Sequence, residues 1–91
     1  MKTDTKESCR GRLARIEGQV RGIARMVEEG RYCIDVVNQI QAVRAALDRV
    51  EATILQDHVA TCVEGAIRSG DEADQRAKVA ELMTVLERRL R

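Results

Sequence analysis

His58 and Cys62 stand four residues apart in a stretch without helix breakers, and Cys33 supplies a second thiol 25 residues before His58. Residues four apart on a helix lie on one face, about a turn from each other. A thiolate beside an imidazole is half of a metal site, but an inert thiol beside a packed histidine looks the same. Cys33 tips the balance through geometry. Twenty-five residues of straight helix extend about 37 Å, so Cys33 and His58 cannot share a metal along one helix. Two copies packed antiparallel about a two-fold axis bring together residues whose numbers sum to a constant. Cys33 with His58 sums to 91, and Cys33 with Cys62 sums to 95. The crossing then falls near residues 46 and 47, in Arg44-Ala45-Ala46-Leu47, where small residues let two backbones approach. A two-fold homodimer would hold two identical sites, each with Cys33 from one chain and His58 and Cys62 from the other. Two thiolates and one imidazole suit Cu(I) first and Zn(II) second. Zinc usually takes a fourth ligand, and no fourth is evident. The set therefore points to Cu(I).

The elements that must position these groups are helices. From Tyr32 to about Arg68, apolar residues such as Val36, Ile40, Val43, Leu47, Val50 and Ile54 keep helical spacing. A helix of about 36 residues would be roughly 54 Å long, too long for a chain of this size to enclose. Part of its face should therefore meet another subunit. An earlier helix carries Leu13, Ile16, Val20, Ile23 and Val27, with Asp4 or Thr5 as candidate cap and Gly30 as its stop. Gly18 and Gly22 inside it are expected to permit close approach of another helix, since each otherwise costs roughly 1 kcal/mol against Ala. Ser69-Gly70-Asp71 supplies a turn and a new N-cap. A third helix follows, with Val79, Leu82, Met83, Leu86 and Leu90 on one face. The expectation is an all-α fold, a single domain over residues 1–91, with three helices of medium, long and short length.

Composition agrees and excludes several classes. The 91 residues contain no Phe, Trp or Pro, Tyr32 is the one aromatic, and 34% are charged. Without large aromatics a core of this size only just sustains folding, and oligomerisation is the expected remedy. No apolar run approaches the ~18 residues needed to span a bilayer, and the N-terminus lacks the apolar stretch of a signal peptide. A cytoplasmic protein without membrane contact is expected. Net charge is only +1, yet Arg10, Arg12, Arg15, Arg21 and Arg25 face a single nearby acid, Glu17. Such a segment is the footprint of a phosphate-contacting surface; the alternative is a solvated helix face. Three cysteines in such a chain argue against a disulfide framework. No Ser/His/Asp set, carboxylate pair or phosphate loop is present, so no enzyme is expected. A copper chaperone or storage protein remains the rival from another class, opposed by the arginine cluster.

At these residues the chain resembles the copper-sensitive operon repressor family of bacterial metal sensors. The matching stretches are R-L-x-R-I-x-G-Q-V-R-G-I at 12–23, M-V-E-E-G-R-Y-C-I-D-V-V-N-Q-I-Q-A-V-R-A-A-L at 26–47 and H-x-x-x-C at 58–62. The resemblance implies a three-helix protomer, an antiparallel dimer and a disc-shaped homotetramer. It implies Cu(I) held across the dimer by Cys33, His58 and Cys62, with Tyr32 and Glu81 supporting the ligands from behind. A carboxylate such as Glu81 would accept the other imidazole N–H of His58 and fix its tautomer. Operator DNA would be bound in the metal-free state through a basic face containing Arg12, Arg15 and Arg49, and released when metal binds. Nickel and cobalt sensors of this fold use an N-terminal His and a His in place of the second Cys, and formaldehyde sensors an N-terminal Pro. This chain has neither an N-terminal His nor any Pro. Persulfide sensors keep both cysteines and usually lack the His, so a reactive-sulfur sensor using Cys33 and Cys62 is the alternative within the fold. Cys9 departs from the family pattern and is expected to be an inert or exposed thiol, or else an extra reactive group near the DNA face.

Overall fold

Helical periodicity without proline produces helices along almost the whole chain in the computed structural model, which describes residues 1–91. Helix α1 spans Thr3–Glu28 and α2 spans Cys33–His58. A π-helical turn, Val59–Val63, leads into α3, Glu64–Ser69, and α4 spans Glu72–Arg89. Backbone angles stay right-handed helical at His58, Val59, Val63 and Glu64, so α2, the π turn and α3 form one rod. This rod is the expected long helix, and α4 is the expected short one. No helix is long and apolar enough to cross a membrane.

The link between α1 and the rod is a tight turn. Gly30 adopts φ 66°, and Arg31 N–H donates to Met26 C=O while Gly30 N–H donates to Val27 C=O. These paired bonds satisfy the last carbonyls of α1, and the left-handed angle is one that glycine reaches without a Cβ penalty. The chain thereby reverses, and α1 runs antiparallel to α2. Gly70 at φ 70° ends α3 likewise, and Asp71 caps α4 by accepting from Ala73 and Asp74 N–H. The start of α1 differs from expectation. Neither Asp4 nor Thr5 caps it; the helix begins one turn earlier, with Lys2 at the cap position and no side-chain cap of its own.

What holds α1 on α2 is a single seam. Cys9 and Ile16 pack with Val43 and Val50, flanked by Ile23, Ala46 and Ile54. The buried positions recur every seven residues on both helices, the spacing of a seam between two helices crossing at a shallow angle. Cys9 with Val50 and Ile16 with Val43 both sum to 59, the register of an antiparallel pair. Lys2 and Asp57 share that sum, and Lys2 N–H does donate to the Asp57 carboxylate at 3.2 and 3.3 Å. Cys9 is thus a small apolar residue of the core, not an exposed thiol. Gly18 and Gly22 abut no other helix within the chain, since a Cβ built at either meets nothing within 4 Å.

The seam encloses little. Six of 91 residues are buried, and Leu13, Val20, Ile34, Ile40, Leu47 and Met83 are among the large apolar side chains left exposed. The reason is shape. The molecule measures 58 × 29 × 14 Å with a radius of gyration of 17.8 Å, against about 12 Å for a compact chain of this length. A thickness of 14 Å is close to one helix diameter, so each helix has solvent on both sides. Helix α4 buries no residue fully. It is tied to α2 near its C-terminal end by Arg89, whose Nη2 lies 3.1 Å from Asp48 Oδ1 and whose Nη1 lies 3.2 Å from Glu51 Oε1.

Two outcomes follow from this burial pattern. The urea unfolding midpoint should rise with protein concentration, because association removes the exposed apolar side chains from water only in the folded state; a concentration-independent midpoint would show that they stay wet. In thiol titration of the reduced, metal-free protein, Cys9 should react only after denaturation. Fast reaction of all three thiols in the native state would contradict its place in the core.

Candidate metal centre and nucleic-acid face

The rod changes its winding where its ligand-type side chains stand. His58 is the last residue of α2 and Cys62 lies within the π turn. The wider π turn carries residue i+4 nearer to the line of residue i than an α-helix does, and such turns concentrate at functional sites. Thr61 Oγ1 donates to Asp57 C=O at 2.8 Å and lies 3.6 Å from Cys62 Sγ. The Cys62 thiol is exposed. The His58 ring is 29% exposed, and its Nε2 faces Glu81 Oε1 of α4 at 3.9 Å. That separation exceeds a hydrogen bond but needs only a small side-chain rotation to become one. His58 and Glu81 border a cleft of about 540 Å³ whose other walls are mainly apolar, including Leu13, Leu47, Ile54 and Leu82.

Cys33 stands apart as the first residue of α2, exposed, with the exposed Tyr32 just before it. Within one chain no three His, Cys, Asp or Glu side chains come together as a metal-holding group. The chain therefore brings His58 and Cys62 together on the rod, with Glu81 of α4 beside His58, and leaves Cys33 and Tyr32 at the other end of α2. The donor chemistry of the three ligand-type residues suits a soft cation, with both thiols reduced and accessible and one imidazole nitrogen turned away from Glu81.

Asp57, the residue before His58, was not singled out by sequence reasoning. It is the one buried charged residue, 7% exposed. Its carboxylate accepts from Lys2 N–H and from Thr5 Oγ1, the latter at 3.2 Å, and the α-amino group of Met1 lies 3.8 Å away. A carboxylate placed at the first turn of α1 satisfies an otherwise orphaned N–H and complements the positive end of the helix dipole. A signal did exist: Asp57 falls seven residues after Val50 and fourteen after Val43, on the buried register, where an acid needs a partner.

On the other side of the seam, Arg12 and Arg15 of α1 and Arg49 of α2 line one cleft of about 390 Å³, with Ile16, Gln19 and Ala46. Helix geometry accounts for this. Arg12 and Arg15 are three residues apart on one face, and the antiparallel register sets Arg49 opposite them. None of the three is ion-paired within the chain. Three unpaired guanidinium groups around one polar cleft make a site for anions such as phosphate.

Known proteins share this arrangement of helices. The copper-sensing transcriptional repressor CsoR of Bacillus subtilis is 47% identical over 83 residues, covering 91% of this chain and 79% of its own length. The crystal structure of the copper-sensing repressor CsoR with Cu(I) from Geobacillus thermodenitrificans superposes with a TM-score of 0.88 at 42% identity, covering 100% of this chain and 92% of that one. The nickel-responsive transcriptional regulator InrS superposes with a TM-score of 0.72 at 43% identity, covering 90% and 89%. Identity alone thus does not select the inducer. The frame is common to the two solved structures, and the profile described as "Metal-sensitive transcriptional repressor" matches residues 5–88. That match leaves only the extreme termini outside it, and the chain belongs to this family of transcriptional repressors, which are not enzymes.

Proposed function

We propose that the chain is a Cu(I)-responsive repressor that binds operator DNA when metal-free and lets go when Cu(I) is held between two protomers. The observation that carries this reading is the pairing of His58 and Cys62 on one segment of the rod, with Glu81 behind the imidazole at 3.9 Å. In this reading Cys33 of one protomer joins His58 and Cys62 of its antiparallel partner, and the dimers assemble into a homotetramer. Glu81 holds His58 Nε2–H, leaving Nδ1 as the ligating nitrogen. Tyr32, next to Cys33, supports the same site from the partner's side. Cu(I) accepts the two thiolates and one imidazole as a complete set. The protein acts in the cytoplasm, where reducing conditions keep the thiols free.

Repression rests on Arg12, Arg15 and Arg49 contacting operator phosphates, which fixes orientation on the duplex without reading sequence. Release follows from linkage. Ligation fixes the wound segment 58–62 against Cys33 of the partner, and Glu81 draws α4 with it. A shape that favours ligation and disfavours DNA couples the two sites, typically by about 1–3 kcal/mol and equally in both directions. Nickel sensing is opposed by the soft donor set. Reactive-sulfur sensing by Cys33 and Cys62 is favoured by the exposure of both thiols, and His58 discriminates against it.

Titration of reduced protein against a competing Cu(I) chelator should show a single tight Cu(I) per chain, lost in Cys33→Ala and in His58→Ala. Inducer release that survives His58→Ala but not Cys33→Ala would replace copper by reactive sulfur. Glu81→Gln should keep most of the Cu(I) affinity yet blunt release of DNA, roughly tenfold for the loss of about 1.4 kcal/mol of coupling; unchanged release would remove Glu81 from the switch. Binding to the promoter region of its own gene should be salt-dependent, and Arg12→Ala with Arg15→Ala should each flatten the log–log salt slope by about 0.9. Absence of DNA binding under reducing, metal-free conditions would overturn the repressor reading for this site.

A further inference from the structure

The five arginines clustered between residues 10 and 25 do not share one face. Arg21 pairs with Glu17 at 3.7 Å, and Arg10 lines a separate cleft with Leu13 and Glu17. Arg12 and Arg15 join Arg49 on the opposite side of the seam. Arg25 takes the same side as these, further along, in a cleft of about 390 Å³ that also contains Arg31 and Gln39. Gln19 borders both clefts. They are therefore two ends of one groove between α1 and α2, with Ile16 and Ile23 of the seam at its floor.

Three properties of the groove fit a polyanionic strand. Arg12, Arg15, Arg25, Arg31 and Arg49 are all exposed and none has a carboxylate partner in the chain. Leu13 and Leu47, two of the apolar side chains left open by the fold, line the cleft on the other face of the pair and do not border this groove. The length also suits DNA: Arg12 to Arg25 is about 20 Å of helix, enough to meet several successive phosphates of one strand. One acid, Glu29, borders the far cleft and opposes an anion there.

We infer that this groove seats one sugar-phosphate strand of duplex DNA along its whole length, with Arg25 and Arg31 forming a second phosphate-contact cluster and Gln19 donating between the two. The inference rests on the repressor reading and extends its DNA face beyond Arg12, Arg15 and Arg49. Contacts of this kind position the protein without sequence information, and each removes counterions from the duplex. Gln19 donates without charge, so it adds affinity and leaves the salt dependence alone.

The test is fluorescence anisotropy with reduced, metal-free, full-length protein and a duplex from its own promoter region, between roughly 50 and 200 mM salt. Arg25→Ala and Arg31→Ala should each flatten the log–log slope by about 0.9 and weaken binding several-fold. Arg21→Ala should match the wild type, and Glu29→Gln should tighten binding. Far-UV circular dichroism melts check that the variants remain folded, and Glu29→Gln carries the test if Arg31→Ala does not fold. Slopes of Arg25→Ala and Arg31→Ala equal to those of Arg21→Ala, with Arg12→Ala still flattened, would overturn this inference and leave the repressor reading standing. An unflattened Arg12→Ala slope, or no binding by the wild type, would instead bring down the reading on which it rests.

Discussion

The structure depends on one heptad seam between two antiparallel helices. Cys9, Ile16, Val43 and Val50 meet along it, and Asp57 closes its end by accepting the backbone N–H of Lys2, the cap position of α1. Two helices side by side form a layer one helix thick, and a layer cannot surround anything. Every other apolar side chain must face outward from one side or the other. The chain sorts them: Leu13, Leu47 and Ile54 go to the face that also carries His58 and Glu81, and arginines and glutamines go to the opposite face. A mainly apolar side and an arginine side are the direct result of a seam too thin to hide either.

Much of this was legible in the residues. Periodicities of three and four gave the helices and their order, Gly30 and Gly70 marked the reversals, and Asp71 marked the start of α4. The long rod was legible because no Pro or Gly interrupts it between Tyr32 and Glu64. The π turn was not, because Val59 to Val63 carry no Gly or Pro and an extra residue per turn has no sequence motif of its own. Asp57 was missed for a related reason. The periodic pattern was read from apolar residues alone, and an acid on the buried register looks like a gap in it. The cap of α1 was misplaced because the true acceptor lies 55 residues away, where no local motif points.

For the site, spacing alone rules out a metal centre shared along one helix, and the rod keeps Cys33 and His58 at opposite ends of α2. The arginine cluster was visible as composition but not as a surface. Its five members divide between two faces of α1, and only the partner helix reveals which cluster with Arg49. Arg89 illustrates the remaining gap. Its contacts with Asp48 and Glu51 join residues about forty positions apart, chosen by where α4 folds back. Arg89 is mostly buried between these two exposed carboxylates and so anchors the C-terminal end of α4 on α2.

Helix α4 lies on the rod without a fully buried residue: Gln75 donates to the Ala66 and Ile67 carbonyls, Glu81 near its middle faces His58, and Arg89 pairs at its C-terminal end. A switch needs an element whose two positions differ by a few kcal/mol, and a helix buried on all sides would not qualify. The α1–α2 seam is different, because moving it would expose its only core. In the proposed function, the parts that respond to a ligand at His58 and Cys62 would be segment 58–62 and α4, and Asp57, whose carboxylate takes Lys2 N–H, would carry the change to α1 with its Arg12 and Arg15.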